Sequence, residues 1–166
     1  MSRTTAFDAN ATANIGWRGN LRYRTRSSSG SAGYGYFAPG CAGPLGITHL
    51  VHDAPPRLGT TMTVSLDNLP VSAALMMTGL SRTLSNFGLL PLDLGPFGAP
   101  SCFGRVGPDA IQFLIGTGNL AQWHFGVPNS TGLIGVQIYN QALVLAPGTN
   151  ALGAVASDAA AMLIGN

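Results

Sequence analysis

The side chains in this sequence that could do chemistry are three histidines, two cysteines, six aspartates and eight arginines. His49 and His52 lie three apart with Asp53 adjacent, and His124 follows Trp123. On a strand, residues three apart point to opposite faces, so His49 and His52 make no ligand pair. With no Glu in the chain to complete a zinc site, the sequence predicts solvated or hydrogen-bonded histidines and no metal or other cofactor. Hydrolysis of sugars needs two facing carboxylates. Asp53, Asp67, Asp109 and Asp158 all read as turn residues. Asp93, inside the apolar run LPLDL, is expected to be buried and bonded to nearby backbone. Gly79-Leu80-Ser81-Arg82 lacks the G-x-S-x-G elbow of a serine nucleophile. A phosphate loop ending in Gly-Lys is impossible without Lys. No enzyme is expected.

Cys41 and Cys102 make one candidate disulfide, which would staple the start of the domain to its middle. Two cysteines in an otherwise thiol-free chain fit an oxidising compartment better than a reducing one. Two buried free thiols are the alternative.

The arginines are unevenly placed. Arg3, Arg18, Arg22, Arg24 and Arg26 fall within residues 1–36, which end in the Ser/Gly-rich stretch SSSGSAGYG. Within this arm, Ile15, Trp17, Leu21 and Tyr23 alternate with Arg18, Arg22 and Arg24, and Arg26 follows. Period-two alternation is the signature of a strand, here with one apolar and one cationic face. The apolar face needs burial, so residues 15–26 are expected either to join their own domain's sheet or to complete a neighbour's. The four arginines are candidate contacts for an anionic partner such as nucleic acid. A net charge of only +2 argues against that use.

The arm sets off residues 37–166 as a single domain, a size that buries roughly 70% of the unfolded surface. Hydrophobic residues reach 46%, whereas charged residues stand at 8%, far below the roughly 25% usual in soluble domains. There is no Lys at all. A surface so poor in charge is commonly an interface, although genome base composition would also remove Lys. No apolar run reaches the ~18 residues of a membrane helix, and residues 1–36 contain no signal-peptide core. Asn10-Ala11-Thr12 and Asn129-Ser130-Thr131 match the glycosylation pattern, which is too short to assign a function.

The 23 Gly and 11 Pro suggest short strands joined by tight turns. Strands are expected at 34–37, 47–52, 61–66, 73–80, 89–94, 102–106, 110–115, 121–127, 135–145 and 159–164. A short helix competes with a strand over 151–161. The strand is preferred there, with Gly153 and Ser157-Asp158 read as turns. A spacing of about ten residues per strand predicts an all-β fold, an antiparallel β-sandwich or jelly roll with an N-terminal extended arm. No repeat of 20–50 residues suggests a solenoid or propeller.

Several pieces together resemble an uncharacterised β-rich domain of predicted secreted proteins of planctomycetes and myxobacteria. They are Gly40-Cys41-Ala42-Gly43, Leu58-Gly59-Thr60, Asn68-Leu69-Pro70, Gly79-Leu80-Ser81, LPLDLGPFGAPSC ending at Cys102, and YNQALVLAPGTNALG ending at Gly153. The resemblance covers about three quarters of the chain and implies an extracellular, disulfide-bearing, non-catalytic β-sandwich. It supplies no catalytic residues. This chain departs from that pattern in Ser101, where a Gly is usual, and in its Arg-rich arm.

The expected role is a structural subunit whose partners are copies of itself, in a filament or surface layer, bridged by Ile15, Trp17, Leu21 and Tyr23. A virion coat or decoration protein, with nucleic acid or a capsid as partner, would share the sandwich and the basic arm. A carbohydrate-binding module would use Trp17, Trp123 or Tyr139 as a stacking platform, although Trp123 reads more readily as core.

Overall fold

The computed structural model describes residues 30–166. Twelve strands follow one another in this span, all paired antiparallel. They are β1 (Gly33–Ala38), β2 (Leu50–His52), β3 (Thr61–Leu66), β4 (Ala73–Gly79), β5 (Leu84–Ser85) and β6 (Gly88–Leu89). After them come β7 (Leu92–Asp93), β8 (Phe103–Gly104), β9 (Ala110–Ile115), β10 (Ala121–Gly126), β11 (Gln137–Leu145) and β12 (Ala154–Leu163). Eight of them build two facing sheets, ordered β1-β12-β11-β4-β9 and β10-β3-β2. The protein is an antiparallel β-sandwich.

Alternation drives the sheets together. In β3, Met62, Val64 and Leu66 are wholly buried while Thr61, Thr63 and Ser65 face outward. Facing them are Ala74 and Met76 of β4, Ala142 and Val144 of β11, and Met162 of β12, with Trp123 of β10 beside them. Burying each of the larger side chains contributes roughly 1.5–3 kcal/mol.

The five-stranded sheet is unusual in having much of its other face covered as well. Residues 80–108, carrying the two hairpins β5-β6 and β7-β8, lie over it as a cap. Val106 packs there against Ala38, Tyr139 and Ala159, with Phe37 and Ala161 alongside. β12 is thus enclosed on both faces, which accounts for its small residues. A Cβ on Gly40 would stand 2.4 Å from the Ala156 carbonyl oxygen, so only glycine lets the chain pass this close to β12.

Where strand expectations and structure differ, the backbone hydrogen bonds show why. The expected strand 89–94 is two short ladders separated by Pro91, which has no N–H to donate. The expected strand 47–52 is reduced to three residues. Ahead of it, the Ile47 carbonyl accepts from Asn68 and the His49 N–H donates to Asp67, so side chains replace a strand partner. Strand 102–106 stops at Gly104 because the Arg105 N–H donates to the Gln141 side chain. The strand preferred over a helix near the C-terminus is present, and longer than expected. Ser157-Asp158 is not a turn but a β-bulge inside β12, where the pairing shifts between Gln141 and Leu143. The Ser157 hydroxyl fills the gap by accepting the Ala142 N–H at 2.8 Å.

Candidate functional site

Cys41 and Cys102 form a disulfide, with Cα atoms 5.2 Å apart, and no free cysteine remains. Cys41 follows β1 and its N–H donates to the Ala156 carbonyl, while Cys102 precedes β8 in the cap. The bond therefore fastens the cap to the segment after β1, which is itself held on β12 of the five-stranded sheet. Such a bond persists in an oxidising compartment. Gln141 is the second fastener. Fully buried on β11, it accepts the Arg105 N–H at 2.7 Å and donates to the Phe103 and Ser157 carbonyls at 3.1 Å. Arg82 adds a third attachment by lying over the Phe37 and Tyr139 rings, 5.6 and 5.9 Å from their centres.

Beyond these attachments the cap stands away from the sheet. A cavity of about 240 Å³ opens between them, with Met77 and Leu143 on the sheet side and Phe87, Leu90, Leu92 and Phe97 on the cap side. Its walls are almost entirely apolar. The surface around its mouth is apolar too. Phe87 is 71% exposed and Leu89 78%, and Leu80, Leu84 and Phe97 are also largely open. On the edge strand β9, the side chains of Ile111, Phe113 and Ile115 point out on one face, with Phe113 at 54% exposure and Ile115 at 75%. Leu75 and Met77 of β4 stand opposite Phe113 and Ile111, which extends the apolar row inward from the edge. Single exposed apolar residues are ordinary, but a set of them around an apolar cleft is a candidate interaction surface.

A second cleft, about 370 Å³, lies at the β1-β2 end and contains His49 and Asp158 with Tyr36, Leu50 and Val51. Asp158 is only 6% exposed. Its Oδ1 accepts the Leu50 N–H at 2.9 Å and its Oδ2 is 3.5 Å from His49 Nδ1. Burial raises the Asp158 carboxyl above its ordinary range, with the Leu50 N–H and His49 opposing that shift. Burial likewise pushes the Tyr34 hydroxyl up, and the Asp158 charge adds to it. A carboxylate–histidine pair resembles part of a hydrolytic triad, but the neighbouring hydroxyl is already engaged. Ser157 Oγ accepts from Ala142 and donates to the Asp158 carbonyl. What the arrangement does is join the sheets: Asp158 of β12 holds the backbone of β2 through Leu50 and, by its own N–H, the Thr48 carbonyl.

Of the residues singled out in the sequence, Cys41 and Cys102 come together as expected. Ile15, Trp17, Leu21, Tyr23, Arg18, Arg22, Arg24 and Arg26 lie outside the described residues. Trp123 is core, 3% exposed, and its indole N–H donates to Gln112. Tyr139 is also buried, at 9% exposure, so neither ring offers an open face to a sugar. Asp93 is exposed rather than buried, though it does bond to backbone, accepting the Gly95 N–H at 2.8 Å. Among the described residues the buried aspartate is Asp158, whose Ser-Asp neighbourhood reads as a turn in sequence. His49 and His52 part company: His49 faces Asp158, and His52 packs its ring 4.9 Å from that of Tyr34. Among the described residues, no three histidine, cysteine or acidic side chains converge as a metal site would require. No helix there is long and apolar enough to cross a membrane.

The apolar surface escaped the sequence reading because Phe87, Leu89, Ile111, Phe113 and Ile115 look like ordinary core residues of strands. The one available signal was the absence of polar alternation in the run Ile111-Gln112-Phe113-Leu114-Ile115 at the edge of a sheet. Comparison with known protein families, with characterised proteins and with solved structures gives no match.

Proposed function

We propose that this protein is a non-catalytic structural subunit that assembles with copies of itself outside the cell, in a filament or surface layer. The observation that carries this reading is the apolar surface formed by β9 and the mouth of the cap, where Phe87, Leu89, Phe113 and Ile115 are more than half exposed. Water-facing aromatic and branched side chains at this density are a liability for a monomer and the ordinary core of a subunit interface. Two further features support the reading. A chain with 8% charged residues has little with which to keep its own copies apart. The Cys41–Cys102 bond and the resemblance to secreted β-rich domains both suit an extracellular subunit exposed to oxidising conditions.

Negative-stain microscopy of the purified native protein tests this directly. Regular particles, layers or filaments are the expected result. A field empty of ordered assemblies at concentrations well above those of secreted structural proteins would contradict it.

A further inference from the structure

We infer that residues 15–25 of one molecule add as a strand to the free edge of β9 in a second copy. In that position Ile15, Trp17, Leu21 and Tyr23 would lie beside Ile111, Phe113 and Ile115. The inference rests on the self-assembly reading above and names the surface and segment that join.

Two half-interfaces with matching periods motivate it. β9 ends the five-stranded sheet among the described residues, pairing there only with β4, so its other edge has no strand partner among them. Natural edges are blunted by Lys, Pro or inward charges. β9, with the sequence Ala-Ile-Gln-Phe-Leu-Ile, has none of these. Its apolar row repeats every second residue, as the apolar row of residues 15–23 does. Added strands take their affinity from main-chain hydrogen bonds and their selectivity from alternate side chains. Here cross-strand pairs of aromatic and branched residues would supply the latter.

The length of chain available favours a second copy over the same molecule. Gly30 accepts the Asn166 N–H at 2.6 Å, so the chain enters the fold beside the end of β12. A strand beyond β9 lies four ladder spacings from β12, roughly 19 Å at about 4.8 Å each. From Thr25 to Gly30 the chain spans at most about 17 Å even when straight. A strand reaching Thr25 therefore falls short of its own β9. Its own β1 edge is within reach but offers Trp17, Leu21 and Tyr23 one largely exposed side chain, Tyr36, between Gly35 and the half-buried Phe37, where β9 offers three. Joining head to tail, each molecule would offer one arm and one β9 edge, a heterologous contact that propagates into filaments or closes into rings.

Complementation between two full-length variants tests the inference. One combines Trp17→Ala, Leu21→Ala and Tyr23→Ala and keeps its β9 edge. The other is Phe113→Arg and keeps its arm. Each alone should sediment as a monomer, and an equimolar mixture should form a one-to-one pair at least tenfold more tightly than either self-associates. Ile115→Arg serves as a second edge variant. Folding of all three is checked by circular dichroism and by formation of the Cys41–Cys102 bond. If the wild type assembles and the mixture does not, the arm-to-β9 contact is wrong while the self-assembly reading stands. Self-association of the triple-alanine variant alone would also overturn it, pointing to direct pairing of two β9 edges. A monomeric wild type would remove the self-assembly reading and this inference with it.

Discussion

Phe113 stands directly opposite Leu75 in the β4-β9 ladder, and the pair faces out of the sandwich rather than into it. Phe113 is more exposed than an aromatic ring in a finished sheet has reason to be, and it continues a row that runs from β9 to the walls of the cap. It is this outward-facing row that would meet a second copy if the protein is the assembling subunit we propose.

Phe87→Ser should separate assembly from folding. Phe87 is largely in water, so the monomer's stability should change by no more than about 0.5 kcal/mol, as for most surface substitutions. Self-association should weaken tenfold or more, the loss of at least about 1.4 kcal/mol expected of a buried aromatic anchor. Thermal unfolding and sedimentation of the same sample check both. An unchanged association constant would mean that the cavity mouth is not in the interface.

Loss of the disulfide should be costly. Cys41 and Cys102 close a loop spanning 61 residues, for which the chain-entropy relation gives about 4 kcal/mol. Replacing both cysteines by serine should lower the denaturation midpoint accordingly. The native protein should resist alkylation and gain two hydrogens in mass on reduction. A native protein that alkylates fully would refute the bond.

Gln141→Ala should loosen the cap without unmaking the sandwich. It would leave the Arg105 N–H and the Phe103 and Ser157 carbonyls without their shared partner. Stranded groups of this kind cost about 1–3 kcal/mol each where water cannot reach them. New protease cleavage within residues 80–108, with strand content retained, is the expected outcome. Cleavage spread evenly along the chain would show that Gln141 holds the whole fold.

Two aspartates should bend the pH–stability curve in opposite directions. Burial raises the Asp158 carboxyl in the folded protein. The fold thus favours the protonated form, and the contribution is fully present below the ordinary carboxylate range and lost as pH rises through the raised folded value. The stability of the wild type relative to Asp158→Asn should therefore fall from acid towards neutral pH. Asp53 behaves oppositely, because the Thr63 N–H at 2.7 Å and other backbone donors lower its carboxyl. Its contribution is present above the ordinary carboxylate range and lost as pH falls through the lowered folded value, so Asp53→Asn should lose most at neutral pH. Denaturation curves at a series of pH values decide both. A flat or rising Asp158 difference would remove its assignment as a desolvated carboxylate.

Much of the fold was legible because its strands obey local rules. Residues 61–66 and 110–115 have the bounds expected from alternation and flanking turns. What sequence could not supply was partnership. Ser157-Asp158 carries the composition of a turn, and only the neighbouring Ala142 N–H, fifteen residues away, makes it a bulge. Residues 89–94 look like one strand until Pro91 divides them between partners β5 and β8. The candidate surface was hidden for the same reason: an apolar strand residue is core or interface according to what lies across from it, and for Phe113 and Ile115 that is set by the order of strands in the sheet. The disulfide was legible because only two cysteines exist to pair.

Self-assembly is tested most simply by the mass of the native, oxidised protein in solution, measured by light scattering across a hundredfold dilution. An assembling subunit should give masses that are multiples of the 17.0 kDa chain and that fall as the sample is diluted. A constant 17.0 kDa at every concentration would contradict it and leave the apolar row of β9 without a partner of its own kind.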